Sequence, residues 1–249
     1  MKTIILAAGI GQRLGEVPGD RPKCLLEFGG TSLLQRHLDI LSHYGLTDII
    51  IVTGYQAAMI DDSVRQSGYV SRVRTVHNAQ YSDGSLISML SGLRSLENDG
   101  DLLLMDADVL YDHRMVQRLL DSSHDNCFLL DREFEPGDEP VKLCVLDDCL
   151  VEFRKKIDDN LKFDLQGESV GFFRFNRETA TQLVASAEKY LSQGMDQQPY
   201  EECIRDILLD NPSRFGYEDV TGLPWIEIDF PDDVIRAEQE ILPRITRIS

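Results

Sequence analysis

Two cations and two carboxylates stand out by where they sit. Arg13 and Lys23 flank a glycine-rich turn, and Asp108 and Asp229 each close a short apolar run. The turn reads Leu6-Ala7-Ala8-Gly9-Ile10-Gly11-Gln12-Arg13-Leu14 and follows the apolar stretch that begins at Ile4. Such a stretch suits a buried parallel strand ending in a tight turn. Small residues at Ala7, Ala8, Gly9 and Gly11 let backbone N–H groups come close to a ligand. Arg13 and Lys23 add positive charge over the same loop. Backbone donors for phosphate oxygens, with cations to balance their charge, are what a nucleoside triphosphate requires.

The spacing excludes two familiar phosphate loops. No Gly-Lys-Ser/Thr follows Gly9 at Walker A distance. Leu14 stands where a dinucleotide fingerprint needs its third glycine, and Arg13 sits inside that turn. The two acidic positions have different settings. Leu102–Met105 runs into Asp106-Ala107-Asp108, at the carboxyl end of a strand, where ligands gather in open parallel sheets. One reading makes Asp106 a buried, hydrogen-bonded group and leaves Asp108 to face the site. Near the C-terminus, Trp225-Ile-Glu227-Ile-Asp229 alternates, so Glu227 and Asp229 can converge on one cation.

The string Leu-Ala-Ala-Gly-x-Gly-x-Arg-Leu, followed by Pro22-Lys23, resembles the signature of the nucleotidyltransferases that make NDP-sugars and CDP-alcohols. Asn78…Tyr81…Ser85, Asp106-Ala-Asp108 and the Trp225–Asp229 ending are similar to the small phosphocholine and phosphonate cytidylyltransferases. Asp131-Arg132-Glu133 and Val170-Gly171-Phe172-Phe173 resemble the inositol-phosphate enzymes. The resemblance implies a Rossmann-like nucleotidyltransferase domain and transfer of a nucleotidyl group, with CTP favoured as donor, to a phosphorylated alcohol or phosphonate. It places the triphosphate on Leu6, Ala7, Ala8, Gly9, Gly11, Arg13 and Lys23, and Ser85 and Asp106 near the nucleotide. It gives catalysis to Arg13, Lys23, Asp108 and Asp229. It also implies Mg²⁺ on Asp108 and Asp229, since that ion takes one or two carboxylates plus phosphate oxygens. A sugar-1-phosphate nucleotidyltransferase using UTP, GTP or dTTP, and a non-catalytic nucleotide sensor, are the alternatives.

The elements that must position these groups follow from periodicity. Strand-like runs at Ile49–Thr53, 73–78 and 102–109 alternate with helix-like segments after Ser32, at 57–67 and from about Ser85. That alternation predicts a single α/β domain over 1–249, with a mostly parallel sheet flanked by helices. Residues 1–112 would form the nucleotide-binding half and 113–249 the acceptor-binding half and the closing metal-site strand. A small β insertion is expected near 131–175, with a hairpin turning at Asp147-Asp148 and the polar loop 131–140. Acceptor-binding candidates are Lys142, Glu168, Tyr200, Glu201, Trp225 and Glu227. Lys142 is expected to point at an acceptor phosphate, with Arg132 and Lys156 as further polar candidates. Ser85 is equally readable as a helix cap, and Glu201 as a complement to a helix dipole.

Composition narrows the classes. The chain has 249 residues and a formal net charge of −18. This argues against non-specific nucleic-acid binding and against adsorption to anionic membranes. Cys24, Cys127, Cys144, Cys149 and Cys203 are scattered without a CxxC pair, as for free thiols in a reducing compartment. The five histidines show no ligand spacing. No apolar stretch is long enough to span a bilayer, so a cytoplasmic enzyme is expected. A homodimer is compatible with the sequence.

Overall fold

The computed structural model describes residues 1–14, 21–96 and 100–248. The segment 15–20, between Leu14 and the Pro22-Lys23 pair, lies outside the described residues. In chain order the elements are β1 (Lys2–Ala7), β2 (Glu27–Phe28), β3 (Thr31–Ser32), α1 (Leu33–His43), β4 (Ile49–Thr53), α2 (Ala57–Gln66) and β5 (Val73–His77). Next come α3 (Ser85–Arg94), β6 (Leu102–Asp106), β7 (Val109–Tyr111), α4 (Arg114–Asp121), β8 (Asn126–Asp131), β9 (Lys142–Leu146) and β10 (Cys149–Arg154). The chain then forms β11 (Leu165–Phe175), α5 (Arg177–Ser192), α6 (Tyr200–Asp210), β12 (Phe215–Asp219), β13 (Trp225–Glu227) and α7 (Pro231–Arg236).

Nine strands form one mixed sheet. Its main order is β10-β9-β11-β6-β1-β4-β5, with β8 also paired to β11 and β12 beyond it. The run β6-β1-β4-β5 is parallel, and β11 joins it antiparallel through β6. From β1 the chain builds outward to β4 and β5, then returns across β1 to lay down β6. The strand order therefore reverses between β1 and β6, and their carboxyl ends open the crevice where such sheets hold ligands.

Alternation within the strands divides the core. Ile5, Ile49, Ile51, Leu103 and Met105 face one side, with α1, α2 and α4 contributing Leu34, Leu38, Ile60 and Val116 to that layer. Ile4, Ile50, Val52, Leu102 and Leu104 face the other, packed with residues of α3, α5 and α6 such as Met89, Leu183 and Ile204. Ser32 caps α1 by accepting from the Gln35 N–H at 3.1 Å. Among the described residues, no helix is long and apolar enough to cross a membrane.

Three local departures from the expected elements matter. The apolar run 102–109 is two strands. β6 ends at Asp106, and β7 leaves the main sheet to pair antiparallel with β13, setting Val109 opposite Glu227. Ala107 N–H still bonds to Leu6 O, at 3.2 Å, while Asp108 O accepts from Ile228 N–H at 2.9 Å. The backbone thus changes partners between residues 107 and 108. The alternating segment 223–230 keeps strand pairing only over Trp225–Glu227, which leaves Asp229 just beyond the rung. After Arg236, α7 passes into a π-helical turn over Ala237–Ile241. That turn contributes to a third apolar cluster, with Leu14, Phe28, Leu110, Ile226 and Ile228.

Candidate active site

At the switch point lies an open cleft of about 530 Å³, lined by the glycine loop, Lys23, Asp106, Asp108, Lys155, Tyr200, Glu201, Glu227 and Asp229 among others. The loop leaves β1 with its strand alternation intact. Leu6, Ala8, Gly9, Gly11 and Arg13 line the cleft. The Ala7 side chain packs in the core layer beneath, one residue out of phase with its neighbours. Gly11 has φ +70°, and a Cβ there would come to 3.1 Å from Lys23 Cγ. Glycine therefore lets the Lys23 stem lie across the turn.

Lys23 is the hub. Its ammonium donates to Asp108 Oδ2 at 2.9 Å and to Asp229 Oδ1 at 2.5 Å. Burial alone would lower its pKa, but the two carboxylates outweigh that and hold it above the ordinary lysine value. Arg13 lies 3.1 Å from the other oxygen of Asp229. It also donates to Glu139 at 2.7 Å, and its guanidinium stands over the Phe230 ring. Lys155 reaches the same Glu139 carboxylate at 3.3 Å.

One carboxylate oxygen from each of Asp108, Glu227 and Asp229 lies within 4.8 Å of the others. Crowding by the cleft wall, then repulsion from Asp108 and Asp229, raises the pKa of the Glu227 carboxyl, although its side chain keeps contact with solvent. Three convergent hard oxygen donors, sharing one ammonium, fit a divalent cation of the Mg²⁺ type. Among the described residues, five carboxyls (Asp106, Asp108, Glu201, Glu227, Asp229) and three cations (Arg13, Lys23, Lys155) line the cleft.

Asp106 is the hydrogen-bonded partner in its pair, though it too lines the cleft. It accepts from Tyr200 Oη at 2.7 Å. Burial and the nearby Asp108 and Glu201 raise its pKa well above the ordinary value. Gly171, at φ +80°, leaves it room, since a Cβ there would collide with its carboxylate. Ser85 opens α3 at the cleft wall and accepts from the Tyr200 backbone N–H at 3.0 Å. Glu201 Oε2 is buried without a hydrogen-bond partner among the described residues.

The remaining acceptor candidates separate. Trp225 and Glu168 line a neighbouring chamber of about 390 Å³, which shares Glu227 and Asp229 with the main cleft. Trp225 Nε1–H donates to Asp131 at 2.7 Å. Lys142 lines neither space. Its ammonium donates to the carbonyls of Gly137, Pro140 and Lys155, fastening the 131–140 loop to the hairpin. Arg132 pairs with Asp219. Lys155 and Glu139 are the site residues that sequence reasoning missed. Lys155 belongs to the basic run 154–156, whose position just after a strand was the available signal.

A glycine loop at the switch point, facing a carboxylate cluster and ringed by cations, defines a nucleotidyltransferase. The chain belongs to the MobA-like NTP transferase family, whose domain pattern matches residues 3–162. It is 24% identical to the CTP:phosphoglutamine cytidylyltransferase of Campylobacter jejuni, over 94% of this chain and 98% of that one. It is 25% identical to the CMP-5'-(3-aminopropyl)phosphonate synthase of Streptomyces rubellomurinus, over 98% of this chain but only 39% of that longer protein. The fold matches that of the CTP:phosphocholine cytidylyltransferase of Streptococcus pneumoniae with a TM-score of 0.71 at 23% identity, covering 96% of this chain and 97% of that one.

Glu168 yields a pH prediction. Burial, then the Asp131 carboxylate, pushes its carboxyl from 4.5 up to about 7. Between those values the folded state holds more protons than the unfolded state, so stability falls as pH rises, by at most ~1.4 kcal/mol per pH unit. Glu168→Gln should melt higher than the parent at pH 8 and equally at pH 4. A melting difference independent of pH would refute this.

Proposed function

We propose that the protein transfers a cytidylyl group from CTP, with Mg²⁺, to a small phosphorylated alcohol or phosphonate and releases pyrophosphate. The observation that carries this reading is the Lys23 ammonium bridging Asp108 and Asp229 beside the glycine loop. The loop N–H groups and Arg13 would hold the β- and γ-phosphates, with Lys23 at the α-phosphate. Bound by Asp108, Glu227 and Asp229, Mg²⁺ would supply charge neutralisation and polarise the α-phosphoryl group. An acceptor oxyanion attacks the α-phosphorus in line, forming a new P–O bond as the bond to pyrophosphate breaks. No protein nucleophile is required, because the acceptor is already an anion. The chain contributes alignment and electrostatics.

Two features support the acceptor class. Lys155 lies on the cleft wall, placed for an acceptor phosphate or phosphonate. Glu201, unpartnered at Oε2, and Tyr200 beside it offer a seat for an ammonium or another donor-rich group. Two of the relatives are named for phosphoglutamine and aminopropylphosphonate, both nitrogen-bearing acceptors.

Pyrophosphate release should be measured with CTP, UTP, GTP, ATP and dTTP against phosphocholine, aminoethylphosphonate, phosphoglutamine, inositol phosphate and glucose 1-phosphate. A signal confined to CTP and an amino-alcohol phosphate, amino-acid phosphate or aminophosphonate is expected. Turnover only with sugar phosphates and UTP, GTP or dTTP would replace this reading with a sugar-nucleotide enzyme. Lys23→Ala and Asp108→Asn should each lower kcat/KM by about 100-fold or more, and near-normal turnover in either would reject the site assignment.

The ion pairs of Glu139 yield a separate prediction. Its carboxylate sits on Arg13 and Lys155, where entering phosphates need free cations. Exposed pairs of this kind are worth up to about 1 kcal/mol. Glu139→Gln should therefore lower the KM for nucleotide about two- to fivefold with little change in kcat. A raised KM would show instead that Glu139 helps to hold the nucleotide.

A further inference from the structure

His37, on α1, is fully buried. Its Nε2 lies 3.2 Å from the carbonyl oxygen of Ala107, and its Nδ1 lies 3.2 Å from Tyr111 Oη. The Tyr111 and Phe172 rings pack around it, with centroids at 5.2 and 6.1 Å. Burial lowers its pKa to about 4, so the ring is neutral at ordinary pH and carries one N–H. A carbonyl can only accept, which puts that proton on Nε2. Nδ1 is then the acceptor for the Tyr111 hydroxyl, and the tautomer is determined by its two partners.

Ala107 lies between Asp106 and Asp108, where the backbone leaves the main sheet for the β7–β13 ribbon. Its N–H is tied to Leu6 O on one side, and the His37 imidazole ties its carbonyl on the other. The two peptides that flank Ala107 are thereby clamped, one to β1 and the other to α1, at the strand break between the two aspartates.

We infer that His37 is a positioning residue for Asp108: by donating from Nε2 to the Ala107 carbonyl, it holds the strand break that aims the carboxylate at the metal and triphosphate site. Nothing in the sequence around His37 marks it for this role, and it touches no ligand itself. The inference rests on the proposed reading of Asp108 as a metal ligand. Without the imidazole N–H, the buried carbonyl loses its donor and the Asp-Ala-Asp turn can relax. Groups that hold ligating residues in place typically change metal affinity by about 10- to 100-fold when removed.

The test compares His37→Leu, which removes the donor at similar volume, with His37→Gln, whose amide can both donate to Ala107 and accept from Tyr111. Mn²⁺ binding to the substrate-free protein, followed by electron paramagnetic resonance, is the first readout. Expected are about tenfold weaker binding in His37→Leu, recovery to within about threefold in His37→Gln, and a matching rise in the metal concentration for half-maximal rate. Parent-like Mn²⁺ affinity in a folded His37→Leu would overturn the inference, as would equal losses in the two variants. Should His37→Leu fail to fold, ¹⁵N NMR of the parent imidazole decides, because an Nδ1-protonated ring would also overturn it. Asp108→Asn serves as the control. If it binds Mn²⁺ like the parent, the metal-site reading fails; if it loses Mn²⁺ while His37→Leu retains it, only the role of His37 fails.

Discussion

Two aspartates that repel each other are brought together at one lysine, and the active-site end of the molecule is built around that meeting. Asp108 lies just past β6, where the backbone has left the parallel sheet, whereas Asp229 follows β13; Lys23 bonds to both. At an effective dielectric near 20, like charges about 4 Å apart cost roughly 4 kcal/mol. Such a pair persists only with a cation between its members. Lys23 supplies that cation in the free protein, and its raised pKa is the other side of the same interaction. The stem of Lys23 in turn lies against Gly11, where a Cβ would crowd it, so the glycine loop and the carboxylate cluster are packed together.

The arrangement differs from an ordinary structural ion-pair network. Two ion pairs away from the cleft are bidentate and matched: Arg205 engages Glu152 with two hydrogen bonds, and Arg154 does the same with Glu202. At the cleft, three carboxyl groups crowd one ammonium, and the pKa of Glu227 is raised. Such a carboxylate cluster lies in an open crevice at the switch point, where open parallel sheets hold ligands. The cations are arranged in the same way. Arg13 and Lys155 share Glu139, an exposed partner whose hold on them is weak.

Much of this was legible in the sequence because the signals are local. The Gly9–Gly11 turn with Arg13 follows an unbroken apolar strand, and Asp106 closes another, with Asp108 two residues past its end. The Asp147-Asp148 hairpin turn is also where the alternation put it, with both residues at positive φ. What could not be read depends on partners distant in sequence. Lys142 was expected to reach an acceptor phosphate, but three carbonyls of the loop and hairpin hold its ammonium. The break at residues 107–108 is invisible in an apolar run, since it arises when β13, more than a hundred residues later, takes over the pairing. Lys155 and Glu139 enter the site through the path of the insertion, which periodicity does not specify.

The matched family pattern ends at residue 162, yet two of the three clustered carboxylates, Glu227 and Asp229, lie beyond it. The part of the chain that defines the family therefore does not complete the site by itself. Completion depends on a two-stranded ribbon with three paired positions, from Trp225 opposite Tyr111 to Glu227 opposite Val109. An isolated ribbon of that size is marginal in water. Here it is sheltered by the third apolar cluster, in which Leu110, Ile226 and Ile228 pack with Leu14, Phe28 and the π-helical turn. Leu14 belongs to the end of the phosphate loop itself, so the same small core that secures Glu227 and Asp229 also anchors the loop carrying Arg13. Loop and carboxylates are thus fixed relative to each other by shared packing, and a shift in either must be taken up by the apolar residues between them.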